Sequence, residues 1–189
     1  MKGGNNIMLN ITCKNFIHIS LDEKKMVLDW RNSDRVRLKM NNQETIPLEN
    51  HLKFVDSLKN RKDCVYYLFY INDEPVGVFD LIDIDENKKS CIVGSYIGNI
   101  KYGMGGGVLF YYNIYTAFEK YNIDKVFANV LKTNKRIYTY HKQILEAIDE
   151  YENEKEWYIS WNQNIWQRIK RNMPNLITDL RNVNTKWID

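Results

Sequence analysis

The sequence predicts an α/β chain of the α+β kind, a central twisted sheet that is mixed but mostly antiparallel and is flanked by helices. Three observations predict it. Helix-patterned and strand-patterned segments alternate along a chain of 189 residues. Three consecutive apolar segments are separated only by short polar turns, which makes them antiparallel neighbours. Four of the nine glycines fall within positions 103–107, between the last of these segments and a helix-patterned one.

The elements follow in order. "NITCKNFIHI" predicts a first strand. "SLDEKKMVLDWRN" predicts a helix, because Ser20 and Glu23 stand at capping-box spacing and Met26, Val27 and Trp30 recur at helical intervals. In "PLENHLKFVDSLKN", Leu48, Leu52, Val55 and Leu58 share a face behind Pro47, which is tolerated at a helix start. "CVYYLFYI", "PVGVFDLIDI" and "SCIVGSYI" are rich in β-branched and aromatic residues, and "NDE" and "DENKK" turn the chain between them. After the glycine cluster and its helix come a strand "KVFANVLK", a helix "TNKRIYTYHKQILEAI" and a strand "EWYISWN". In the tail, Ile165, Trp166, Ile169 and Met173 share a helical face that could cover the body or a second subunit of a homodimer. The expected organisation is a flexible N-terminus over 1–8, one domain over 9–162 and a helical extension over 163–189.

Composition narrows the function classes. A content of 44% hydrophobic and 27% charged residues is that of a soluble globular protein, and a formal charge of +3 is too small and dispersed to advertise a nucleic-acid binder, although it suits an anionic small ligand. Cys13, Cys64 and Cys91 are odd in number and far apart, which argues against a disulfide framework or a zinc site. Asp80, Asp83 and Asp85 alternate along a strand into a turn without an EF-hand glycine, and read as a solvated strand end. No metal is expected. No segment has the apolar core of a signal peptide or the ~20 apolar residues of a membrane span, so the expected location is the cytoplasm with no membrane partner.

The glycine cluster asks for a ligand. A P-loop would need Gly-Lys followed by Ser or Thr, and Val108 and Leu109 follow Gly107 instead. A dinucleotide fingerprint would need a third glycine where Val108 stands, and a preceding βαβ unit. What remains is a helix start with free amides, a favourable dipole and glycines that admit an anion such as a pyrophosphate. A tight strand-to-helix turn with no ligand is the alternative.

The order of elements and "KYGMGG" resemble the GCN5-related N-acetyltransferase (GNAT) family, in which a strand runs into an Arg/Gln-x-x-Gly-x-Gly/Ala loop. That resemblance implies the GNAT fold, whose splayed fourth and fifth strands hold acetyl-coenzyme A. It implies cofactor contacts from Tyr96, Lys101, Gly103, Met104, Gly105, Gly106 and Gly107, with two glycine registers open one residue apart. "KTNKRIYTYH" is similar to the family's Asn-x-x-Ala-x-x-x-Tyr segment. Asn134 stands where an asparagine holds the pantetheine arm, and His141 stands where a tyrosine protonates the sulfur, with Tyr140 beside it. "WRNSDRVRLKM" and "NHLKFVDSLKNRKDCVYYLFYINDEPVGVFDLIDID" resemble the members of the family that serve pseudaminic acid biosynthesis. These acetylate the 4-amino group of UDP-4-amino-4,6-dideoxy-N-acetyl-β-L-altrosamine. The resemblance implies a nucleotide-sugar acceptor held by Arg31, Met40 and His51.

The chemistry constrains the same residues. An amine attacks a thioester only when unprotonated, and the departing thiolate needs a proton donor. Histidine, with a pKa of about 6.5, and tyrosine, near 10, can both give one; at helical spacing Tyr140 and His141 point about 100° apart, so one of them faces the sulfur, and His141 is the expected donor. Without the resemblance Arg31 reads equally as a surface partner of Asp29 or Asp34, Met40 as a core filler and His51 as a helix-surface residue. A peptide or polyamine acceptor is the rival within the class, and a non-catalytic coenzyme A-binding module is the rival outside it. The basic character of the Arg31 and His51 segments favours an anionic acceptor.

Overall fold

The computed structural model describes residues 8–103, 106–176 and 182–189, and the side chains of all of these except 173–176. Its eight strands are β1 (Leu9–Asn15), β2 (Val65–Ile71), β3 (Glu74–Asp85), β4 (Ser90–Ile97), β5 (Lys125–Leu131), β6 (Ile148–Glu152), β7 (Glu156–Asn162) and β8 (Val183–Ile188). They form one sheet in the order β6-β7-β5-β4-β3-β2-β1-β8, antiparallel except for β4–β5 and β1–β8. The helices are α1 (Leu21–Asn32), α2 (Asp34–Arg37), α3 (Leu48–Ser57), α4 (Gly106–Tyr115), α5 (Lys135–Gln143) and α6 (Gln163–Leu176), and α4 runs on into a π-helical turn, Thr116–Lys120.

The helices sort the sheet into two faces. Successive strand residues alternate in direction, so Tyr67, Phe69, Phe79, Leu81 and Val93 join Leu109 and Tyr112 of α4 in the larger core. Leu68 and Val78 face the other way, against Val27 of α1 and Val55 of α3. The capping box forms as the sequence predicts: the Glu23 amide donates to Ser20 Oγ (3.2 Å) and the Ser20 amide to the Glu23 carboxylate (2.5 Å). The turns between β2, β3 and β4 place Asn72, Asp73 and Lys89 at positive φ.

The sheet splits between β4 and β5. These parallel strands pair only over Ser90↔Lys125, Cys91↔Val126 and Ile92↔Phe127. Beyond Ile92, β4 pairs only with β3, up to Ile97, and β5 pairs only with β7, up to Leu131. The edge of β4 over Val93–Ile97 therefore presents backbone groups that β5 does not satisfy. One of them, the Gly94 carbonyl, accepts a 2.7 Å bond from Asn113 Nδ2 of α4.

Several segments differ from the sequence reading. The first strand ends at Asn15, whose side chain caps a 3-10 turn over Phe16–His18. On α3 the buried residues are His51 and Val55, whereas Leu48 is 43% exposed. The helix read through Ile148 stops at Gln143; Glu146 takes a φ of 54° and the chain turns into β6. The tail is more than a helix. The face of Ile165, Trp166 and Ile169 is buried by the chain's own body, where Trp166 stacks on Phe118 and donates to Glu119 (2.7 Å). The final residues form β8, which lengthens the sheet beside β1 by placing Thr185 against Tyr112 (2.6 Å) and Trp187 against Tyr67 and Tyr115. The N-terminus expected to be flexible falls almost wholly on residues 1–7, outside those described, and so does the side chain of Met173.

Candidate active site

The split between β4 and β5 is the centre of the site. On one side lies the run from β4 into α4. Asn99 shapes it: its side chain accepts from the Lys101 amide (3.1 Å) and donates to the Pro75 carbonyl (3.3 Å). Gly103 closes a 3-10 turn and Gly106 opens α4, with no heavy atom within 4 Å of the place its Cβ would occupy. No described glycine has positive φ, so openness to a ligand, and not backbone conformation, is what these glycines supply. Lys101 is exposed. Of the expected cradle, Met104 and Gly105 lie outside the described residues. Asn134 sits at the start of α5 with no side-chain cap bond, which leaves its amide for another partner.

The adjacent residues Tyr140 and His141 have opposite surroundings. His141 is 5% exposed and wedged between Phe110 of α4 (4.4 Å between centroids) and Trp161 of β7 (5.2 Å). Burial pushes its imidazole down to about 3, so it is neutral at ordinary pH and holds no proton to donate as imidazolium. This placement runs against the expectation that His141 is the acid. Tyr140 is half-buried, its phenol pushed above the ordinary value by desolvation, and its hydroxyl has no hydrogen bond among the described residues.

On the α1–α3 face, Tyr66 of β2, Asp80 of β3 and Gly94 of β4 form one cross-strand row, and Leu68, Val78 and Tyr96 form the next. Tyr96, counted with the cofactor residues from sequence, turns its ring to this face. Close by, Gly98 lies where a Cβ would be 2.0 Å from the Trp30 ring, so α1 comes directly down on the end of β4. That contact brings Arg31 beside Tyr96.

Arg31 is not paired as a surface arginine would be. Its Nη2 donates to the Asn42 carbonyl (2.7 Å), but Nη1 is buried with no partner among the described residues. Neither Asp29 nor Asp34 bonds it, and Asp34 pairs with Arg37 (2.9 Å). Burial lowers the Arg31 pKa and the neighbouring Tyr96 opposes that. His51, read as surface by default, is 5% exposed, its pKa lowered by burial, and its Nε2 is likewise without a partner. Met40 is half-buried after α2.

Asp80 stands differently from its sequence reading. It lies in the middle of β3, not at a solvated strand end, and its carboxyl covers Gly94, where a Cβ would stand 2.9 Å from Oδ1. Burial pushes its pKa up to about 7, against the lowering influence of the Gly94 amide. No group of histidine, cysteine and carboxylate side chains suited to a metal occurs among the described residues, and none of their helices is long and apolar enough to cross a membrane.

A split between parallel strands four and five, a glycine-rich helix start at its mouth and a helix carrying Asn134 and Tyr140 beyond it define an acyltransferase site of the GNAT class. The chain belongs to the GNAT family of N-acetyltransferases. It is 30% identical over 149 residues to the acetyltransferase PseH of Campylobacter jejuni, a match covering 78% of this chain and 90% of that one. The crystal structure of C. jejuni PseH in complex with acetyl coenzyme A superposes with a TM-score of 0.67 at 24% identity over 81% of this chain and 99% of that one. A nucleotide-linked sugar GNAT, FdhC, gives a TM-score of 0.70 at 20% identity over 82% and 89%. Spermidine N-acetyltransferase from Vibrio cholerae gives 0.71 at 10% identity over 85% and 98%. No protein-family model matches the sequence. Family membership sets aside the non-catalytic reading.

Proposed function

We propose that the chain transfers the acetyl group of acetyl-coenzyme A to the 4-amino group of a UDP-linked 4-amino-4,6-dideoxy sugar, as in pseudaminic acid biosynthesis. The observation that carries the reading is Arg31. A guanidinium near Tyr96, with a buried nitrogen that has no partner and no carboxylate bonded to it among the described residues, suits an anion, and a nucleotide sugar brings a diphosphate. His51, buried with an unpartnered Nε2, and the half-buried Met40 are further candidates for holding the acceptor. Family membership and the identity to PseH support the same choice.

Acetyl-coenzyme A supplies the acetyl group as a thioester. The chain's own groups would hold it: the edge of β4 that β5 leaves unpaired would meet the pantetheine arm, the amides at the start of α4 would receive the pyrophosphate, and the uncapped Asn134 would steady the arm from α5. Tyr140 gives its hydroxyl proton to the departing sulfur. A neutral phenol with no internal partner is a standing donor near pH 7. His141 fixes the rotation of α5 by filling the core, so that Tyr140, about 100° further round the helix, packs only at the core's edge and stays half-buried.

The test is turnover. The protein is incubated with acetyl-coenzyme A and, separately, UDP-4-amino sugars, diamines and peptides, and thiol release is followed. Preference for a UDP-4-amino sugar, lost with Arg31→Ala while acetyl-coenzyme A binding is kept, is the expected result. Preference for spermidine or a peptide would overturn the assignment of the acceptor.

A further inference from the structure

An amine that arrives as ammonium must lose a proton before it can attack, and Tyr140 sits on the other partner of the reaction. The row Tyr66–Asp80–Gly94 holds a group suited to that task. Gly94 lies two residues past Ile92, the last residue of β4 that pairs with β5, so the Asp80 carboxyl stands at the vertex of the split, on the face that carries Arg31 and Tyr96. It has no cation and no side-chain partner among the described residues. Other carboxylates of this side are engaged: Glu23 by Lys14 (2.8 Å) and Tyr70, Asp34 by Arg37, Asp56 by Lys24 (2.7 Å). A half-buried carboxyl whose one polar contact among the described residues is the Gly94 amide has capacity left for a cation.

We propose that Asp80 is a catalytic residue that binds the acceptor ammonium and takes its proton. The proposal rests on the reading above that the acceptor is an amine. The ammonium gives one proton to the Asp80 carboxylate. The nitrogen lone pair then forms the C–N bond to the acetyl carbon as the C–S bond breaks. The sulfur takes the Tyr140 proton, the second proton lost by nitrogen restores the phenol, and Asp80 releases its own to water. A carboxyl held near neutrality is matched to this exchange. The titratable groups around it are Tyr66 on β2, Tyr96 and Cys91 on β4 and Cys64 just before β2, all raised in pKa and uncharged near pH 7, with Arg31 of α1 beyond Tyr96.

The test compares wild type with Asp80→Asn and, to displace the carboxyl without removing it, Gly94→Ala. Each is measured for kcat/KM against pH with the acceptor that the panel identifies, for acetyl-coenzyme A affinity by calorimetry and for thermal unfolding. Asp80→Asn should lose about 10²-fold or more at pH 7, move its acidic limb upward and approach wild type at high pH, with cofactor affinity unchanged. Gly94→Ala should fall in the same direction. If a different amine is the acceptor and the limb still moves, the sugar assignment fails and Asp80 stands. A folded Asp80→Asn with the wild-type rate and limb overturns the proposal whichever amine is used. Should no amine on the panel react, the carboxyl carbon resonance that Asp80→Asn removes decides: titration near neutrality supports the role, and titration below pH 5 overturns it.

Discussion

On the proposed reading, the two sides of the split would recognise their ligands by different means. The cofactor side offers main-chain groups: the unpaired edge of β4, the turn closed by Gly103 and the start of α4 at Gly106. The acceptor side offers side chains with unspent hydrogen-bonding or charge capacity: Arg31 Nη1, His51 Nε2 and the Asp80 carboxyl. A main-chain cradle tolerates substitution as long as no Cβ intrudes, so Lys101 can stand where the family has Arg or Gln. A side-chain pocket changes its ligand with each replacement. The proposal therefore assigns this chain's specificity to the acceptor side.

Four measurements would break or sharpen that contrast. The largest effect is expected at Tyr140, the proposed proton donor: Tyr140→Phe should lower kcat by roughly 10²–10⁴ with acetyl-coenzyme A binding kept. A near-normal kcat would remove the phenol from the reaction. Next is Arg31→Ala, which should lower kcat/KM for a UDP-linked acceptor by about 10- to 100-fold, the worth of a charged hydrogen bond, without moving the KM of acetyl-coenzyme A. A shift in both KM values would show that Arg31 braces the whole site.

His141 should matter to stability and not to rate. Its folded pKa, about 3, lies below the unfolded value of about 6.5, so its contribution is complete above pH 6.5 and is lost as pH falls toward 3. By pH 5 that loss is on the order of 2 kcal/mol. His51, lowered in the same direction, adds to it, while Asp80, raised to about 7, acts with the opposite sign, so neither protein alone isolates the effect. The measurement is the difference between wild type and His141→Phe in denaturant midpoints at pH 7.5 and pH 5, with the variant gaining relative to wild type at pH 5 and keeping kcat within a few-fold. A difference independent of pH would mean that His141 titrates in the folded protein as it does in the unfolded chain. The smallest effect belongs to Lys101→Ala, which should weaken acetyl-coenzyme A binding only a few-fold because an exposed lysine is well screened.

What could be read in the sequence follows the range of each signal. β2, β3, β4, β5 and β7 are rich in β-branched and aromatic residues, and α1 carries its own capping box, so both were legible. β6 was not, because Glu146 turns the chain at positive φ without the glycine that usually marks such a stop. β8 is a short segment whose inward residues, Val183, Thr185 and Trp187, acquire meaning only when β1 lies beside them. In the candidate site, the glycine cluster and Asn134 were visible as motifs. The burial that separates Tyr140 from His141 was not, since it depends on Phe110 and Trp161, 31 and 20 residues from His141. Asp80 looked like one of three solvated aspartates because nothing local reveals that its side chain lies over Gly94.

The three rungs that join β4 to β5 also have a mechanical meaning. On one side of them stand five strands laced by long ladders, and on the other stand three. The molecule is thus two stiff ribbons sewn along a short seam, and a rocking motion about that seam would widen the gap without breaking any other rung. Amide exchange at Ile92 and Phe127 would read the strength of the seam directly, and a ligand lying in the gap should tighten it like a wedge glued on both sides.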